Sequence, residues 1–178
     1  MIGKQYTLLM LVVIATGALA IGCAVSSNSI TPAWVYKGSG AVAAFGDKAF
    51  HGVGRASGIK NQSLLRTTAD NRARAEVAEI LETYVLTLSR GYTAAGGEER
   101  QRIGQALLSH SKNTLRSAVI IEHWADINTG TLYSLCKMDL ASVRNILADT
   151  EGLDSEVRDY IRKNAGRVHE ALEGTKSR

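Results

Sequence analysis

Only one proline, Pro32, occurs in 178 residues, and 6% of the chain is aromatic. With a hydrophobic content of 45%, this composition is neither that of a disordered chain nor that of a disulfide scaffold. Cysteine is almost as scarce: Cys23 and Cys136 sit in very different contexts, which argues against an internal disulfide. The four histidines, His51, His110, His123 and His169, are scattered, and no His-x-x-x-His or Cys-x-x-Cys spacing is present to hold zinc. Gly-x-Ser-x-Gly and Walker-type loops are missing as well. Charge of one sign never accumulates. The arginines are interspersed with Glu and Asp, whereas a nucleic-acid surface needs a clustered basic face with interleaved aromatics. The formal charge is +4, and Lys4 is the only charged residue before Cys23, so removing that segment takes one from four and leaves +3. These gaps together lead us to expect no enzyme activity, no cofactor, no metal and no nucleic-acid partner.

What is present begins at the amino terminus. One lysine precedes the uncharged residues 7–22 (TLLMLVVIATGALAIG), too short a run for a comfortable membrane span but with the two regions of a secretory signal. It closes on Ala20-Ile21-Gly22-Cys23, which resembles the lipobox of bacterial lipoproteins, with Ala20 standing where Leu is commoner. The resemblance implies cleavage between Gly22 and Cys23, diacylation of the Cys23 thiol and acylation of the new amino group. Several acyl chains hold a protein to a membrane where one chain gives only marginal binding. Ala24, where Asp would retain the protein at the inner membrane, favours the outer membrane. An ordinary secretory signal cut nearby and an uncleaved anchor are the alternatives. The expected division is a signal peptide at 1–22, a lipid-anchored tether at 23–46, one domain at 47–173 and a polar tail at 174–178. Pro32-Ala33-Trp34-Val35 is where the tether starts to dock, with Trp34 as its anchor.

Within the domain, the clearest period belongs to residues 61–90. Ala69, Ala73, Val77, Ile80, Tyr84 and Leu88 recur every three or four residues, the stripe of a helix lying on a packed surface. Asn61 and Ser63 are both candidate caps, and Gly91 can end the helix in the left-handed conformation. Arg66, Asp70, Arg72, Arg74, Glu79 and Glu82 form the face expected to stay wet. Before it, residues 48–58 read as a strand whose Gly52 and Gly54 allow a bulge or the close approach of a neighbour. Gly52-x-Gly54 followed by Gly58 departs from the dinucleotide-loop spacing by one residue, so a structural strand is expected instead.

Residues 98–115 read as a second helix, with Ile103, Leu107, Leu108 and Leu115 on its apolar side and Glu98 and Glu99 in the first turn, where negative charge is favoured. Residues 117–126 and 131–140 read as a strand pair joined by a turn at Asn128-Thr129-Gly130. Leu132, Ser134, Cys136 and Met138 share one face of the second strand, with Tyr133, Leu135 and Lys137 on the other. Cys136 is most simply a small buried hydrophobe. His123 is the least bland position, although Glu122 and Trp124 beside it must point to the opposite face. A short helix from Asp139 and a final one at 155–172, striped by Val157, Tyr160, Ile161, Ala165, Val168 and Leu172, complete an α+β domain: an antiparallel sheet on a long helix, with further helices.

The order of these parts resembles the Lpp-twenty family of bacterial outer-membrane lipoproteins. The resemblance rests on the lipobox cysteine, Pro32-Ala33-Trp34-Val35, Phe50-x-Gly52-Val53-Gly54-x-Ala56, Ala69-x-x-x-Ala73-Arg74-x-Glu76-Val77-Ala78 and the strand Thr131-Leu132-Tyr133-Ser134-Leu135-Cys136-Lys137-Met138-Asp139. It implies a compact α+β domain, no enzyme activity, outer-membrane lipid held through acylated Cys23, and self-association, with some members building rings or discs around the flagellar motor. Flagellar or other envelope proteins are the implied partners. A monomeric envelope module that holds a partner or ligand is the alternative.

Overall fold

The computed structural model describes residues 30–39, 48–93 and 96–176. In chain order these form α1 (Ala33–Lys37), β1 (Ala49–Ala56), α2 (Gln62–Arg90), α3 (Gly97–Thr114), a 3-10 turn (Leu115–Ser117), β2 (Val119–Asp126), β3 (Thr131–Asp139), α4 (Leu140–Ala148) and α5 (Ser155–Lys176). The three strands are antiparallel in the order β1-β3-β2, and α2 packs against β1 and β3. This is the α+β architecture expected, with the long helix on the sheet. Among the described residues no helix is long and apolar enough to cross a membrane.

The seat of α2 on the sheet explains the two glycines of β1. Phe50, Gly52, Gly54 and Ala56 pair with Met138, Cys136, Ser134 and Leu132, which makes them the row of β1 that faces the helix. A Cβ at Gly52 would lie 2.5 Å from the Ala73 carbonyl oxygen, and one at Gly54 only 2.1 Å from that of Ala69. Strand and helix therefore touch backbone to backbone, glycine against alanine, and Ala69 and Ala73 are wholly buried. The strand glycines serve close approach and not phosphate. Asn61 caps α2, its Oδ1 accepting from the Leu64 amide at 3.0 Å, while Ser63 lies inside the first turn.

The main core lies where α2 also meets α3, α4 and α5. Phe50, Tyr84, Leu107, Met138, Leu147 and Ile161 are its largest wholly buried members. Phe50 sits edge-on to both Tyr84 and His169, with ring centroids 4.9 Å apart in each case, an arrangement that places ring edges on ring faces. The Tyr84 hydroxyl donates to the Ala165 carbonyl at 3.1 Å, so the polar tip of this core ring is satisfied. The sheet's other face carries its own cluster: Trp34 of α1, 3% exposed, lies on Leu135 with Val53, Trp124 and Tyr133 around it. Trp34 is an anchor into the domain, as its sequence context suggests.

The structure corrects several local expectations. Leu81 and Val85 are fully buried, whereas Ile80 is only partly covered, because the stripe that faces the sheet near Ala69 turns toward α3 and α5 further along the helix. Gly91 is right-handed (φ −73°), not left-handed; its small size matters because a Cβ there would meet the Tyr160 hydroxyl at 2.4 Å. β1 stops at Ala56, and β2 starts at Val119 after the 3-10 turn. The last helix runs through Lys176, past the Leu172 expected as its end. Asp70, expected on the wet face, is turned into the structure.

Candidate functional site

Cys23 and Gly22, the residues singled out for acylation and cleavage, lie outside the described residues. Within the domain, chemistry-bearing side chains meet at the junction of α2 with β2 and β3. Ser134 and His123 are partners across β3 and β2, and both reach Asp70 of α2. The Ser134 hydroxyl donates to Asp70 Oδ1 at 2.7 Å, and His123 Nε2 lies 2.7 Å from the same oxygen. Because an ionised carboxylate only accepts, Nε2 carries the proton.

Burial pushes the Asp70 carboxyl up, but the hydrogen bonds from Ser134 and His123, helped by the charges of His123 and Arg74, outweigh it. The net result holds the group below its ordinary value. The order of the three groups decides what they can do. In a nucleophilic triad the histidine stands between acid and nucleophile and takes the hydroxyl proton. Here the acid stands in the middle, so Ser134 points its proton at a carboxylate and has no base within this cluster. Ser134 is also fully buried. The arrangement ties one helix to two strands.

The remaining titratable groups do similar structural work. His169 of α5 reaches the Ala49 carbonyl at 2.9 Å. Burial pushes the Cys136 thiol up to about 11, which leaves it protonated and unreactive at neutral pH. Among the described residues no group of three or more His, Cys, Asp or Glu side chains stands close enough to hold a metal ion. The indole N–H groups of Trp34 and Trp124, behind the sheet, are buried without an acceptor among the described residues.

The two edges of the sheet are treated differently. The Leu140 amide donates to the Lys48 carbonyl, which makes the even-numbered residues of β1 those bonded to β3 and leaves the odd ones facing outward. Three of the outward groups are taken by side chains: the Ala49 carbonyl by His169, the Val53 amide by Glu76, and the Arg55 carbonyl by Arg72. These side chains cover part of the β1 edge and discourage pairing with another strand. β2, the other edge, carries a bulge at Ile121, and Val119 and Ile121 are exposed. The bulge is itself a device that discourages edge pairing.

A concavity lies along the antiparallel α2/α3 hairpin. Two adjoining cavities of about 440 and 500 Å³ share Leu108 as a wall. Gly104 lets the helices meet, since a Cβ there would come within 3.2 Å of Ser89 Oγ. One cavity is flanked by Arg90 and Arg100, the other by Glu79 and Glu82.

Within the domain, sequence reasoning marked His123 only as the least bland position, and it is part of the polar junction. Asp70 was missed because its charge and spacing suit an exposed face equally well; its signal would have been its place one residue after Ala69, on the turn nearest the sheet. Neither a scan against protein-family models nor a search of curated proteins found a match for this chain.

Proposed function

We propose that this chain is a non-enzymatic, lipid-anchored structural protein of the outer membrane that self-associates, akin to the Lpp-twenty lipoproteins and fitted to a flagellar motor-associated ring or disc. The observation that carries the reading is the amino-terminal sequence. An uncharged run of residues 7–22 ends on Ala20-Ile21-Gly22-Cys23 and gives way at once to the polar Ser26-Ser27-Asn28-Ser29. A short apolar run closing on a small residue and a cysteine is the substrate pattern of lipoprotein processing, and the polar stretch suits a tether. The domain supports the reading by what its polar groups do: the Asp70 junction and the side chains on the β1 edge hold the fold together.

Growth in radioactive fatty acid tests the anchor. The wild-type chain takes up label and Cys23→Ser does not; label persisting in that variant would defeat the lipobox assignment. Light scattering and negative-stain imaging test the assembly, with large uniform particles expected. The second reading, a monomeric envelope module holding a partner or ligand, is favoured by the concavity along α2 and α3. A strictly monomeric protein at high concentration would select it.

A further inference from the structure

The outer side of α2 carries charge in an order that its period makes visible. Glu79, Glu82, Leu86 and Arg90 are spaced by three or four residues, so they form one row along the helix. In the structure that row borders the α2/α3 groove, with Arg100 of α3 joining Arg90 and with Leu86 and Leu108 in the apolar stretch between. Glu82 and Arg90 are eight residues apart, about 12 Å along a helix. That exceeds the roughly 8 Å screening length of physiological salt, so the two ends act as separate acidic and basic poles. Among the described residues none of these four charged side chains is engaged in an ion pair.

A groove that runs from basic through apolar to acidic is complementary to itself once turned by 180°. We propose that a second copy of this chain docks here, antiparallel, about a two-fold axis passing near Leu108. Each copy's Arg90 and Arg100 then meet the other's Glu79 and Glu82, while side chains of one hairpin fill the seam of its mate, ridges into grooves. An isologous contact uses one patch twice and asks nothing of any other protein, since each copy supplies the matching charge order. The side chains on the β1 edge and the bulge in β2 discourage extension of the sheet, which is consistent with association through the helical side. The inference rests on the self-association proposed above and names its surface. Because a two-fold contact closes on itself, assemblies larger than a pair need a second, different contact.

The test uses the mature, membrane-extracted protein in detergent, its association followed by sedimentation equilibrium. One variant reverses the basic pole (Arg90→Glu with Arg100→Glu) and another the acidic pole (Glu79→Arg with Glu82→Arg). Each alone should pair roughly 100-fold more weakly than wild type, because like charges then face each other. An equimolar mixture of the two should recover affinity to within about tenfold of wild type, since the all-acidic groove now fits the all-basic one. Circular dichroism checks that both variants remain folded. If both associate as wild type does, or if the mixture recovers nothing, this face is not the contact and the self-association reading stands without it. A wild-type protein that stays monomeric overturns both and assigns the groove to a different partner.

Discussion

Replacing Gly54 with alanine probes the tightest glycine seat among the described residues. The added Cβ would sit 2.1 Å from the Ala69 carbonyl oxygen and 2.3 Å from the Ala73 amide nitrogen. Comfortable contact lies near 3.5 Å, so the overlap exceeds 1 Å, and both atoms belong to helix backbone that cannot rotate away. Relief requires α2 to lift from β1, and a gap of even 0.5–1 Å forfeits about a quarter to a half of each dispersion contact along the seam. Overpacking of this kind costs about 1–3 kcal/mol and occasionally more. We expect the upper end, about 3 kcal/mol, after allowing the roughly 0.5–1 kcal/mol that alanine gains over glycine from the lower entropy of its unfolded chain. Gly166→Ala is the matched control: it lies inside α5 with no atom near the added Cβ, and should stabilise by about 0.5–1 kcal/mol. Urea denaturation followed by far-ultraviolet circular dichroism reads both, and Gly54→Ala should lower the midpoint with little change in slope. A Gly54→Ala protein as stable as wild type would refute the backbone seat of the helix on the strand.

Two further predictions concern the polar groups. The Asp70 carboxyl titrates below its ordinary 3.8 when folded, so it binds its proton less tightly folded than unfolded. Its stabilisation is then fully present above that ordinary value and is lost as pH falls through the lower folded one. Asp70→Asn should flatten the acid limb of a melting-temperature profile below about pH 4, and an unchanged limb would argue against the junction. Glu76→Ala strips the acceptor from the Val53 amide and Arg72→Ala the donor from the Arg55 carbonyl. Each should cost about 1 kcal/mol, and the double variant should scatter more light with rising concentration, because an uncovered edge invites pairing. Unchanged stability and scattering in the double variant would count against edge capping.

Much of the fold was legible because its signals are local. The three- and four-residue spacing of Ala69, Ala73, Val77 and Tyr84 marks a buried helix stripe whatever it packs on, and Asn61 offers its side chain to the first free amides. The alternation of Leu132, Ser134, Cys136 and Met138 sorts the two faces of β3 in the same way. The junction was only half legible. His123 stood out, but the Asp70 carboxylate it meets lies 53 residues from it and 64 from Ser134 in the chain, and nothing local links Asp70 to either.

By itself, then, the sequence determined the three strands, the long helix and the later helices in their order, two candidate caps for the long helix and the amino-terminal Ala20-Ile21-Gly22-Cys23, all features set by neighbours within a few residues. The helix at Ala33–Lys37 and the choice of Asn61 over Ser63 came with the structure. Tertiary structure alone decided which way each ambiguous residue turned. Asp70 became partly buried because a histidine and a serine from two strands converge on it. Gly91 was retained for the Tyr160 hydroxyl instead of for a left-handed turn. The β1 edge is partly covered because side chains from two helices reach three of its outward backbone groups. In each case the deciding energy comes from atoms far apart in the chain, and a pattern of spacings carries no record of them until the chain has folded.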